Sequence, residues 1–176
     1  MGIGFRLLLE NCVFFLIATG FLAITAWAWR DVRPYALPKP LPEWFKYWFG
    51  SVQFLGILPP FAALVWGFWQ NEPVVWIVFL AYFILLILQI LFESLTLRRL
   101  HSVTWVMVPY LYVPYRLWQL YEGFLLIDGR ADLIWIQWLL VAEIAVWGIN
   151  YLLDLSQLPR LFQWVRIRLS RDVPGR

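Results

Sequence analysis

Charge, histidine and cysteine are all scarce in this sequence. Only 14% of its 176 residues are charged, while 62% are hydrophobic. A water-soluble domain of this length carries about 25% charged and about 45–50% apolar residues. So few charges cannot cover a soluble surface, which excludes a soluble enzyme or a nucleic-acid-binding domain. The single histidine, His101, allows neither an axial pair for haem nor a His-rich metal site. The single cysteine, Cys12, excludes an internal disulfide and a thiolate cluster. No lysine interrupts an apolar stretch, so a retinal Schiff base is excluded, and neither a glycine-rich phosphate loop nor a Ser-His-Asp set is present. No metal or cofactor is therefore expected. Acid–base chemistry is left to carboxylates, Tyr and Arg, and nothing in the sequence gives catalysis positive support.

What is abundant is aromatic. Thirteen Trp and eight Tyr have amphipathic rings suited to a membrane–water boundary. A spanning helix needs about 20 mostly apolar residues, and five stretches qualify: Leu7–Trp29, Trp48–Trp69, Pro73–Phe92, Val103–Leu120 and Leu133–Leu153. The first exceeds the apolar core of a signal peptide and ends in no small-residue cleavage site, so it is expected to be retained. The expected fold is all-α, a polytopic membrane bundle of five transmembrane helices.

Basic residues orient that bundle. The first loop (Arg30, Arg33, Lys39, Lys46), the third loop (Arg98, Arg99) and the tail (Arg160, Arg166, Arg168, Arg171, Arg176) hold eleven, against Arg6 and Arg130 on the other side. The asymmetry places the N-terminus outside and the C-terminus in the cytoplasm, and an even number of spans would scatter it. Residues 1–155 are expected to form the bundle, and residues 156–176 a basic cytoplasmic tail. Within the tail, Leu161, Phe162, Trp164, Val165 and Ile167 alternate with Arg160, Arg166 and Arg168 as in a surface-lying amphipathic helix. The proline-rich segment from Arg33 to Pro42 should be extended.

Polar residues inside the spans are few and periodic. Tyr82, Gln89 and Glu93 in the third span, and Glu143, Asn150 and Asp154 in the fifth, repeat at offsets of seven and eleven, which return to one helical face. Tyr112, Arg116 and Gln119 form a third stripe. Because ionisable groups facing hydrocarbon are expensive, these stripes are expected to face inwards. Arg116 and Glu143 are expected to pair, with backbones differing in depth by about 9 Å at 1.5 Å per residue. A second cluster is expected at the inner end from Asp31, Gln53, Gln89 and Glu93. Pro59, Pro60, Pro109 and Pro114 should kink their helices and open an interior cavity lined by aromatic rings.

The order of several segments resembles a known family. Pro42-Glu43-Trp44-Phe45-Lys46, then Gln53, then Leu58-Pro59-Pro60-Phe61 is similar to the second-helix region of EXPERA-type membrane proteins, which include the emopamil-binding proteins and the sigma-two receptor. Leu91-Phe92-Glu93 and the run Pro109-Tyr110-Leu111-Tyr112-Val113-Pro114-Tyr115 are similar to the same family, so that the likeness spans about Asp31 to Leu120. It implies a helical bundle with a lipid-facing cavity for sterol-like or amine-bearing hydrophobic molecules. It also matches Asp31 to the acid after the first helix and puts Gln53 where the family has a carboxylate. The His and Glu set of the sterol isomerases is not reproduced.

The sequence-based expectation is thus a membrane protein that binds a hydrophobic, lipid- or sterol-like small molecule. Asp31, Gln53, Tyr82, Gln89, Glu93, Tyr112, Arg116 and Glu143 are its candidate ligand-binding residues. The expected partners are membrane lipids, that hydrophobic ligand and other membrane proteins, with no nucleic acid. The alternatives are a non-catalytic subunit or assembly factor of a larger membrane complex, and an isomerase-like enzyme acting on an apolar substrate.

Overall fold

The computed structural model describes residues 3–30, 43–99 and 102–161, and among these every regular element is helical. The five long helices are α1 (Ile3–Ala28), α2 (Glu43–Trp69), α3 (Pro73–Ser94), α4 (Met107–Ile127) and α5 (Ile134–Leu161). Four of them, α1, α2, α3 and α5, are long and apolar enough to cross a membrane. The fourth helix, α4, falls short because Arg116, Gln119, Glu122 and four tyrosines dilute it. Asp31, the proline-rich segment from Arg33 to Pro42, His101 and the tail beyond Leu161 lie outside the described residues.

Each connection has a local cause. Helix α2 ends where Asn71 adopts a left-handed φ of 55°. The Glu72 N–H then reaches back to the Gly67 carbonyl at 2.9 Å, which closes a Schellman-type cap. Pro73 opens α3, where its missing N–H is no loss. Beyond α3 the chain widens into a π turn (Leu95–Arg99) and then tightens into a 3-10 turn (Val103–Val106). Ser102 caps the latter by accepting from the Thr104 N–H. At the other end, Gly129 takes a φ of 80°, and the Gln137 side chain donates to the last α4 carbonyl, Ile127, at 2.9 Å.

Helices α2, α3, α4 and α5 form a ring in which each packs against two neighbours in it, and α1 lies outside it against α3, α4 and the 3-10 turn that precedes α4. One core runs through the ring from Val75, Phe79 and Ile127 to Tyr82, Leu86 and Trp147. A smaller core of Ala18, Leu22, Leu85, Val108 and Tyr112 fills the seam under α1. The outer faces carry exposed apolar side chains, including Leu16, Ile17, Phe68, Trp69, Trp138 and Leu152. A water-soluble monomer rarely exposes so much apolar surface; hydrocarbon accommodates it.

Three glycines set how closely the ring packs. A Cβ on Gly56 would lie 2.7 Å from the Trp147 ring, on Gly67 2.8 Å from Val75, and on Gly123 2.6 Å from Val78. The α2–α5, α2–α3 and α3–α4 seams therefore each need a residue without a side chain. At the end of the bundle where α1 begins, Arg6 bridges Glu10 and Glu122, which ties α1 to α4. Arg130 bonds Asp132 and Glu72, and these hydrogen bonds hold its guanidinium above the ordinary arginine range.

The helix limits differ from the sequence expectation chiefly at α4. That helix starts four residues later than expected and runs on to Ile127. Pro109 consequently falls in its first turn, where N–H groups are unpaired in any helix. Pro114 lies in the interior of α4, Pro59 and Pro60 in that of α2, and Pro159 within α5, which continues past the expected boundary at residue 155.

Candidate functional site: the buried arginine and its polar chain

Arg116 sits near the midpoint of α4 and is 0% exposed. Its Nη2 donates to Gln89 Oε1 at 2.7 Å, and Gln89 Nε2 in turn donates to Glu93 Oε1 at 2.7 Å. The amide thus links a cation at the middle of the bundle to a carboxylate one turn nearer the α3 C-terminus. The face of the guanidinium rests on aromatic rings, with its carbon 4.0 Å from the Trp147 ring centre and 5.5 Å from that of Tyr82. Desolvated cation–π contacts are worth about 2 kcal/mol or more, so the rings do part of the work that water does for an exposed arginine.

The same rings belong to a second chain of hydrogen bonds. Trp147 Nε1 donates to the Tyr82 hydroxyl at 2.9 Å, and that hydroxyl donates to the Gly56 carbonyl at 2.6 Å. The carbonyl is available because Pro60, four residues on, has no N–H to give it. One proline therefore creates the acceptor that joins α2 to α3 and, through Trp147, to α5.

Glu143 lies one turn before Trp147 on α5, is 2% exposed, and interacts electrostatically with Arg116. The extended α4 brings the two backbones to within about 3 Å of the same depth at 1.5 Å per residue, rather than the 9 Å expected. The expected ion pair is nevertheless absent among the described residues. Arg116 bonds Gln89 instead, and its Nε and Nη1 and the Glu143 Oε2 are buried without hydrogen-bond partners.

The remaining candidates separate into distinct places. Tyr82, Gln89, Glu93, Arg116 and Glu143 share the ring interior. Tyr112 is fully buried, but it faces the α1 seam, with its ring 5.3 Å from Phe14 and its hydroxyl unpartnered. Gln53 is half-buried on α2, one turn before Gly56, and makes no hydrogen bond among the described residues. Asp154 accepts from Asn150 on its own helix at 3.0 Å and interacts electrostatically with Glu93, so carboxylates of α3 and α5 come together near the C-terminal ends of those two helices.

Sequence reasoning missed three participants. Gly56 was signalled by Pro60 four residues later, and Trp147 by its place one turn after Glu143. Asn11 on α1 accepts from both Tyr115 and Gln119 at 3.1 Å, and only its rarity as a polar residue in an apolar stretch marked it. Among the described residues no group of His, Cys, Asp and Glu could hold a metal ion. Comparison with family models, curated proteins and solved structures finds no match to this chain.

Proposed function

We propose that the chain is a multi-pass integral membrane protein, crossing the bilayer five times with its N-terminus outside and its C-terminus in the cytoplasm. Within the α2–α5 ring it binds a hydrophobic, lipid- or sterol-like small molecule. The membrane reading is supported by the apolar outer faces, and by rings that bracket α2 between Tyr47 and Trp69, about 33 Å apart at 1.5 Å per residue. In this topology α4 crosses as the shielded member, its polar stripe covered by α1, α3 and α5. Membership of the EXPERA type, suggested by residues 31–120, belongs to the same proposal.

The observation that carries the ligand reading is Arg116. A fully buried guanidinium with two unpartnered nitrogens, beside a carboxylate with an unpartnered oxygen, is costly unless a further polar group completes it. Its aromatic walls suit an apolar molecule that carries such a group. Native mass spectrometry of the protein in lipid nanodiscs tests this. Binding predicts a co-purifying apolar molecule that is lost in Arg116→Met, and its absence from the wild-type protein rejects the reading.

A second reading is favoured by a different observation. The close contacts at Gly56, Gly67 and Gly123 describe a filled interior, as suits a non-catalytic subunit or assembly factor. The same spectra separate the two, because this reading predicts a stoichiometric protein partner and no small molecule.

A further inference from the structure

Charge complementarity narrows the head group that the Arg116 site would accept. On the guanidinium, Nε and Nη1 are donors without partners; Glu143, which interacts electrostatically with Arg116, has in Oε2 an acceptor without one. Both residues are more than nine-tenths buried. A carboxylate or phosphate would satisfy Arg116 but meet the Glu143 carboxyl oxygen as a second acceptor. An ammonium would satisfy Glu143 but lie against a guanidinium that is always charged. One kind of group answers both demands, a neutral group that accepts and donates at once, and the smallest such group is a hydroxyl.

Resting on the ligand-binding reading above, we infer that the molecule held in the ring carries an uncharged hydroxyl. It accepts a hydrogen bond from Arg116 Nε or Nη1 and donates one to Glu143 Oε2. The Trp147 and Tyr82 rings, already against the guanidinium, then flank the carbon that bears the hydroxyl. Gln89 holds Nη2, so Nε and Nη1 are the donors that remain. Glu143 is in this arrangement a specificity residue for the head group.

The test uses three photoreactive probes with the same diazirine-bearing alkyl chain, one ending in an alcohol, one in a carboxylic acid and one in a primary amine. Each is photolysed with the full chain in phosphatidylcholine nanodiscs, and labelled peptides are mapped by mass spectrometry. The alcohol is expected to label the peptides around Arg116 and Glu143 about tenfold more than the acid or the amine, the discrimination typical of one buried hydrogen bond to a charged group. Glu143→Leu should reduce alcohol labelling by a similar factor. Glu143→Gln, whose amide oxygen still accepts, should retain most of it and serves as the folded control. Equal or stronger labelling by the amine or the acid overturns the hydroxyl assignment and leaves the binding reading intact. Labelling of these peptides by none of the three leaves a water molecule as the bridging hydroxyl, and both readings fail.

Discussion

Tyr82 shows how a single side chain can repair a backbone. Pro60 takes the hydrogen bond from the Gly56 carbonyl, and the Tyr82 hydroxyl restores it at 2.6 Å while accepting from Trp147. Tyr82→Phe should therefore destabilise the protein by about 1–3 kcal/mol, the cost of an unpaired buried acceptor. Pro60→Ala supplies an N–H at the right position, so adding it to Tyr82→Phe should recover much of that loss. Unfolding in detergent by denaturant titration, arranged as a double-mutant cycle, measures the coupling. Gln89 is the other repairing residue, since it partners Arg116 Nη2 and Glu93 Oε1 together. Gln89→Leu unpairs both, and a loss of about 3 kcal/mol or more is expected in the same assay. A loss no greater than that of an exposed Leu substitution would show that the chain from Arg116 to Glu93 does not form.

Among the helices, glycine positions separate packed faces from open ones. Gly123 admits no Cβ without displacing Val78, whereas Gly148 and Gly20 meet nothing within 4 Å. Gly123→Ala should lower the melting temperature, and Gly148→Ala should leave it unchanged or raise it, because alanine favours a helix by up to about 1 kcal/mol. Four helices were legible as apolar runs, and the periodic stripes correctly gave the inward faces of Tyr82, Gln89, Arg116 and Glu143. The limits of α4 were not legible. Ser102 caps a separate 3-10 turn at one end, and Tyr121 and Glu122 disguise the last turns at the other. The partner of Arg116 was not legible either. Periodicity says which way a side chain faces, but whether it meets Gln89 or Glu143 depends on the rotation and spacing of neighbouring helices, which the α3–α4 contact at Gly123 sets.

For the whole molecule, the governing relation is between a bilayer outside and a polar chain inside. Apolar faces turn outward on α1, α2, α3 and α5, while the helix too polar to qualify as a span alone packs between neighbours. The proposed orientation makes a further prediction. A cysteine at Gly129, in the α4–α5 turn, should react with a membrane-impermeant maleimide from outside, and one at Ser156 should react only from the cytoplasmic side. The opposite pattern would reverse the orientation.

The inward placement of the polar stripes is open to a still more direct measurement. A phospholipid carrying a diazirine in its acyl chain is photolysed around the protein in nanodiscs, and the labelled residues are located by mass spectrometry. Label is expected on Leu16, Ile17, Ile87, Ile149 and Leu152, with Tyr82, Gln89, Arg116, Glu143 and Trp147 clean. Label on Arg116 or Glu143 at the level found on Leu16 would put these groups against lipid and contradict the buried arginine site.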